Sequence, residues 1–389
     1  MGLASPPPRQ APLVPQQWAD ALDAISTSRS PPIAIICGPK NSGKSTFSRI
    51  LLNSLLKRYD RVGYLDTDVG QPEFFVPGCL SLHLVDECLP DLMKTPMREP
   101  ERCIFSGDIS SKRDPDAYIN FIFQLYDYFL EKFYQSDDAY SHRKALLPLI
   151  INTAGWVKGT GFDVLVELLK YISPTHVVQM RISAESKNLP TGAFWLSDKK
   201  RGSSKLIELA TVFTDSFNRS VLIRKNAHSM RDLRLSDYFK RCFPSTLNIS
   251  TNKELAHALA SIPPYQIHFS QVKVMHLYCQ VPKHEVFYSL NATIVGLAAS
   301  STVPTSSARC TPWCVGLGIV RGIDAKKGML YVITPVSLCK LEKVDILFQG
   351  FIEIPTSLLQ LCTVDLMRGS VLKLLLLLFF YFVINFFNF

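Results

Sequence analysis

The sequence predicts an α/β fold, a parallel sheet with flanking helices, followed by a smaller β-rich C-terminal domain. Three observations carry this. The apolar run Ile33-Ala34-Ile35-Ile36-Cys37 leads into Gly38-Pro39-Lys40-Asn41-Ser42-Gly43-Lys44-Ser45-Thr46 and then into an amphipathic run over 47–56. A second strand pattern, Arg61-Val62-Gly63-Tyr64-Leu65-Asp66, closes a strand–helix–strand unit, which implies a parallel pair. From about Tyr265 the texture shifts to short, β-branched, turn-bounded runs such as Val286-Phe287-Tyr288-Ser289-Leu290, 315–320 and 329–333.

The elements follow in chain order. Residues 1–30 read as a flexible, proline-rich leader with a short helix over 18–25, ended by Ser30-Pro31-Pro32. Cys103-Ile104-Phe105 is a third strand candidate, running into Ser106-Gly107-Asp108. Residues 116–133 have helical periodicity after Asp114-Pro115. Residues 146–152 form a continuous apolar run, the mark of a strand buried on both faces. A helix over 161–171 and a strand over 176–180 follow, then a polar loop over 190–204 and a basic amphipathic stretch over 229–243. The expected divisions are an α/β domain over 31–262, the β-rich domain over 263–361 and an atypical apolar tail over 362–389.

The composition sets limits. A chain of 389 residues, 47% hydrophobic, holds two or three domains with a full core and is not generally disordered. Lys and Arg outnumber Asp and Glu by 42 to 33, a mild excess suited to a polyanionic partner. The ten cysteines form no C-x-x-C, so reduced core thiols are expected rather than a zinc site. That fits cytosol or nucleus. The start has no apolar run and is no signal peptide.

Chemistry is concentrated in four places. The glycine-bounded segment 38–46 is a phosphate loop in its strand–loop–helix setting. Its backbone N–H groups would cradle nucleotide phosphates, with Lys44 on the β- and γ-phosphates and Ser45 on Mg²⁺. Asp66 and Asp68 sit at the C-terminal end of the second strand, where open parallel sheets bind ligands. Carboxylates there hold Mg²⁺, take a proton from an attacking hydroxyl, or merely cap a turn. Trp156, just beyond the 146–152 strand, is either a nucleobase-stacking ring or a core-edge aromatic. Arg231 and Arg234 share one helix face, as a phosphate-closing lid or as a solvated basic face.

As an ordered set these motifs resemble the polynucleotide 5′-hydroxyl kinases. The residues that carry the resemblance are 38–46, Asp66-Thr67-Asp68-Val69-Gly70-Gln71-Pro72, Thr153-Ala154-Gly155-Trp156-Val157-Lys158-Gly159 and 231–239. Segments 64–74 and 105–118 look more like the nucleolar, pre-ribosomal-RNA branch of that family. The resemblance implies ATP-dependent transfer of the γ-phosphate to the 5′-hydroxyl of RNA, with Mg²⁺ as cofactor. It assigns Asp68 as the base, Ser45 and Asp66 to the metal, and Lys44, Arg231 and Arg234 to catalysis. Gln71, Thr153, Gly155 and Trp156 are assigned to the substrate, with 38–46 on the nucleotide. It further implies a ribosomal-RNA-processing complex as partner, and a nuclear, nucleolar location. An ATP-binding assembly module with little turnover is the alternative. A GTPase is disfavoured because no Asn-Lys-x-Asp follows a strand.

The resemblance covers roughly 33–359 and departs from the family at both ends. The leader is short where relatives carry a sizeable N-terminal domain. Beyond Leu359-Gln360-Leu361 the chain turns to Leu and Phe, with Asn385 and Asn388 near its end. A tail anchor is one reading, and it alone would bring in a membrane. A read-through across a splice boundary is favoured, because family texture stops abruptly and the run is short for a span.

Overall fold

Five residues without a charged or hydroxyl side chain, Ile33–Cys37, form β1 and are buried throughout, as a strand covered on both faces must be. The computed structural model describes residues 14–92, 95–134, 146–196, 204–211, 227–300 and 311–359. β1 lies between, and parallel to, β5 (Leu149–Asn152) and β6 (His176–Arg181). β2 (Val62–Asp66) pairs with the other side of β5, and β7 (Lys205–Ala210) with β6, again parallel. With β3 (Cys79–Val85) and β4 (Arg102–Phe105) the sheet order is β4-β3-β2-β5-β1-β6-β7. The strand–helix–strand pattern predicts the Asp66 strand directly beside the phosphate-loop strand, and β5 instead separates them. Its four residues are buried throughout, and an apolar run of that kind takes a central place whatever its position along the chain.

The helices obey their apolar spacing. α2 (Lys44–Leu55) buries Phe47, Leu51, Leu52 and Leu55. α3 (Pro115–Phe129) opens on Asp114, whose carboxylate accepts the Ala117 N–H at 2.9 Å, with Pro115 as its first residue. A π-helical turn, Leu130–Tyr134, extends it. α4 (Thr160–Ile172) matches its expected span. Inside the stretch read as a flexible leader, α1 (Gln16–Ser26) is a regular helix. Trp18, Ala21, Leu22 and Ile25 give it a buried stripe at helical spacing, and that burial orders it.

The chain divides into two compact units that interrupt each other. The first comprises Met1–Asp68, Leu82–Pro96 and Asp114–Arg224, and the second Val69–Ser81, Met97–Arg113 and Lys225–Phe389. The boundary read at 262 therefore falls inside the second unit. α5 (Ala227–Lys240) and α6 (Asn252–Ser261) lie in that unit because their apolar residues share its core. Leu235, Tyr238, Phe239, Leu255 and Leu259 pack in one cluster with Phe105, Leu317 and Phe348. α6 starts with a reciprocal cap between Thr251 and Glu254.

The second unit's sheet runs β8 (Tyr265–His268), β12 (Met329–Ile333), β11 (Cys314–Asp324), β10 (Ile294–Ala298), β13 (Ile346–Gln349) and β9 (Lys273–His276). It is antiparallel except for β13 with β9. The run Val286-Phe287-Tyr288-Ser289-Leu290 is not a strand. It ends in a 3₁₀ turn, Tyr288–Leu290, with Phe287 stacked on Phe269 at 3.9 Å. Its apolar groups are satisfied by ring packing and the burial of Leu290 rather than by strand pairing. The first part of the leader (1–13) and the tail (362–389) lie outside the described residues. Among the described residues no helix is long and apolar enough to cross a membrane.

Candidate active site

The register of three parallel strands fixes the site. Ile36 of β1 and Asp66 of β2 both stand opposite Asn152 of β5. The three chains therefore leave the sheet at one edge, the carboxyl edge where such sheets bind ligands. From β1 the phosphate loop turns at Gly38, whose φ of 143° and close neighbour admit no side chain. A Cβ there would fall 2.4 Å from the Met180 carbonyl oxygen. Gly43 at φ 93° closes the loop onto α2. Pro39 and Ser42 are buried, Lys40 and Asn41 exposed, and Ser45 and Thr46 half-buried at the helix start.

A residue outside the expected site supports this loop. The Trp18 ring lies 3.2 Å from where a Gly43 Cβ would stand. It meets Phe47 edge-on at 5.4 Å and donates its indole N–H to the Ala210 carbonyl at 3.1 Å. The apolar spacing of α1 was the signal that could have found it. Trp18→Ala is expected to destabilise the protein by about 3–5 kcal/mol and to weaken nucleotide binding, because Gly43 loses its backing. Urea melts with and without nucleotide measure both. A stability loss under ~1 kcal/mol with unchanged affinity reduces Trp18 to passive cover.

Lys44 is 8% exposed, and its ammonium is held by the carbonyls of Gly38 at 2.9 Å and Pro39 at 2.8 Å. Burial lowers its pKa from 10.5 to about 8, opposed by the charge of Asp68. The Ser42 hydroxyl is buried with no hydrogen-bond partner among the described residues. A desolvated cation and an orphaned hydroxyl on a glycine-bounded loop suit a bound polyanion such as a nucleotide's phosphates.

Asp66 is buried and accepts hydrogen bonds from the Asn152 side-chain amide at 3.2 Å and the Asp68 N–H at 3.3 Å. Asp68 is half-buried. Thr67 donates its hydroxyl to the Asn152 carbonyl at 2.9 Å, and the buried Tyr118 hydroxyl donates to the Thr67 carbonyl at 2.8 Å. The turn carrying both carboxylates is thus clamped from β5 and from α3. Asn152 and Tyr118 are positioning residues that the sequence reading did not assign, because pairing across strands is not local. No group of three or more His, Cys, Asp or Glu among the described residues could hold a metal ion alone. Mg²⁺ fits a sparser set, one or two carboxylates completed by phosphates and water, so Asp66 and Ser45 are suitable donors.

The residues that the resemblance assigns to the substrate, Thr153, Gly155 and Trp156, follow β5. Thr153 is buried and donates its hydroxyl to the Ile36 carbonyl at 2.8 Å, fastening the turn to β1. Gly155 lies against the phosphate loop, where a Cβ would stand 2.8 Å from the Lys40 backbone. Trp156 is half-buried, and its ring lies over Gly161 so closely that a Cβ there would come within 2.4 Å. Lys158 donates to the Asn188 carbonyl at 2.5 Å. In this unit the structure therefore brings together 38–46, Asp66, Asp68, Thr153, Gly155 and Trp156.

Gln71, Arg231 and Arg234 belong to the second unit. Gln71 is exposed and both arginines are half-buried. Arg234 donates to the carbonyls of Pro72 and Glu73, which ties α5 to the segment that follows Gln71. Arg231 makes no side-chain hydrogen bond or ion pair among the described residues.

A glycine-bounded loop between β1 and α2, with acidic residues at the same sheet edge, defines a P-loop nucleotide-binding protein. Residues 38–241 match the family model described as the mRNA cleavage and polyadenylation factor CLP1 P-loop, and 260–355 match the NOL9-like C-terminal domain. The chain belongs to the NOL9 family of polynucleotide 5′-hydroxyl kinases. It is 51% identical to the Arabidopsis thaliana polynucleotide 5′-hydroxyl-kinase NOL9, over 90% of this chain and 93% of that one. The zebrafish (Danio rerio) relative of the same name is 32% identical over 88% of this chain, and the Homo sapiens one 30% over 85%. The chain spans about half the length of those two, 48% and 50%. A Clp1p chain solved in a Clp1p–Pcf11p complex shares the fold, with a TM-score of 0.56 at 14% identity, over 86% of this chain and 77% of that chain.

Proposed function

We propose that this chain transfers the γ-phosphoryl group of ATP to the 5′-hydroxyl of RNA during ribosomal RNA processing in the nucleolus, within a processing complex. The observation that carries the reaction is the buried Lys44 of the glycine-bounded loop at the same carboxyl edge of the parallel sheet as Asp66 and the half-buried Asp68. Lys44 would leave the Gly38 and Pro39 carbonyls for the β- and γ-phosphates. Asp68 would take the proton of the 5′-hydroxyl as its oxygen attacks phosphorus and the bond to the β-phosphate oxygen breaks, releasing ADP. Asp66 and Ser45 would hold Mg²⁺, which neutralises charge on the phosphates when bound. Trp156, seated on Gly161, would stack on a base of the substrate. The family resemblance gives Arg231 and Arg234 the developing charge of the transferred group. The nucleolar placement and the ribosomal RNA substrate rest on the branch-like segments 64–74 and 105–118.

Single-turnover transfer from γ-labelled ATP to a 5′-hydroxyl RNA oligonucleotide tests the reading. Stoichiometric transfer is expected, and tight ATP binding without transfer would instead indicate an assembly module. In the same assay Trp156→Ala is expected to weaken RNA engagement by about 1–3 kcal/mol. Unchanged RNA affinity and turnover make Trp156 a core-edge aromatic.

A further inference from the structure

Three segments of the second unit converge on one spot outside the site described. The Phe351 N–H donates to the Gly107 carbonyl at 2.6 Å, and the Leu277 N–H to the Gln349 carbonyl at 3.0 Å. The Tyr278 hydroxyl donates to the Ser106 carbonyl at 2.5 Å. The backbones approach so closely that a Cβ on Gly350 would fall 2.3 Å from the Gly107 oxygen. Three planar groups sit on this frame. The Tyr278 and Phe351 rings are parallel within 12°, with centroids 5.5 Å apart. The Arg113 guanidinium lies 4.5 Å from the Phe351 centroid and 5.5 Å from that of Tyr278. The buried Asp108 holds Arg113 Nε at 2.5 Å, and its other oxygen accepts the Ser110 N–H at 3.0 Å.

The cluster is fixed, yet it is open. Phe351 is 48% exposed and the Arg113 side chain 52% exposed. A ring that only sealed a core would be covered, and a guanidinium that only paired with Asp108 would need no aromatic neighbours. A partly exposed cluster of two aromatic rings and a guanidinium plane instead matches the groups that hold the bases of single-stranded nucleic acid, by stacking on aromatic rings and on arginine planes. The backbone phosphates add charge complementarity to Arg113 and to the exposed neighbour Lys112.

We propose that Arg113, Tyr278 and Phe351 form a stacking platform for a nucleobase of the single-stranded RNA substrate. This rests on the RNA-kinase reading. Affinity of the full-length protein for labelled single-stranded 5′-hydroxyl RNAs, from a dinucleotide to about 16 nucleotides, tests it by fluorescence anisotropy alongside KM for the same series. Arg113→Ala and Phe351→Leu are each expected to weaken binding of the longest RNA about 5- to 100-fold. The defect should grow with RNA length. Arg113→Lys, which keeps charge without the plane, should fall short of wild type, and Phe351→Trp should bind at least as tightly as wild type.

Unchanged affinity in both loss variants, with wild-type melting temperatures, overturns the platform and leaves the cluster as a protein contact or a fold staple. A defect equal at every length also overturns it, because that is a structural effect. If the wild type transfers phosphate to none of the series, the kinase reading fails. The anisotropy comparison still decides the platform.

Discussion

Lys44→Ala is expected to abolish phosphoryl transfer while leaving the free protein no easier to unfold. Loss of a preorganised positive partner at developing charge lowers turnover by at least about 10²–10³-fold. Stability behaves differently because Lys44 is buried at an unfavourable pKa, about 8 against 10.5. Between those two values the unfolded chain binds more protons than the folded one, so wild-type stability rises with pH across that window. The alanine variant should lack this rise. Nucleotide phosphates restore the charged form, so ATP binding to the wild type near the folded pKa should take up protons, and binding to the variant should not. Transfer from γ-labelled ATP, thermal melts across the pH window, and titration calorimetry in buffers of different ionisation enthalpy read these outcomes. Transfer by Lys44→Ala near the wild-type rate would remove the phosphate loop from the mechanism.

Asp68→Asn should lower turnover by roughly 10²–10⁴-fold, the usual worth of a positioned base, with ATP affinity nearly kept. The change preserves shape but removes the proton acceptor, together with the charge that supports the Lys44 ammonium until nucleotide phosphates replace it. Asp66→Asn should fail differently. Asp66 accepts from the Asn152 amide and from the Asp68 N–H, so an amide at 66 can set a donor against donors and loosen the clamped turn. Its defect should therefore include weaker Mg²⁺-dependent nucleotide binding and a lower melting temperature. If Asp66→Asn loses turnover at full nucleotide affinity while Asp68→Asn is nearly silent, the two roles are reversed.

The parts of the site legible in the sequence were local ones. The phosphate loop declares itself by glycine spacing between an apolar run and an amphipathic one, and Gly38 and Gly43 adopt the positive φ that spacing demands. The helices of the first unit followed their periodicity, and Asp114-Pro115 marked the start of α3 correctly. What escaped depends on partners distant in sequence. The insertion of β5 between β1 and β2 is decided by pairing, and with it came the bridging role of Asn152. Trp18 looked like part of a leader because its contacts are with Gly43, Phe47 and Ala210. The 286–290 run had strand composition but met a ring partner instead of a strand. The change of texture near 262 is local, while the recruitment of Phe75, Cys79 and Phe105 from far upstream into the core of the second unit is not.

That recruitment bears on how the protein is made. Phe105 and Leu235 share one core but stand 235 − 105 = 130 positions apart. At about 5–20 residues per second, synthesis leaves Phe75, Val76, Cys103 and Phe105 waiting on the order of 10 seconds for their partners. During that interval a nascent chain carries uncovered aromatic and thiol side chains threaded through a half-built sheet. A slowed ribosome between the codons for 113 and 235 would lengthen that exposure, whereas substitutions on the finished surface would not.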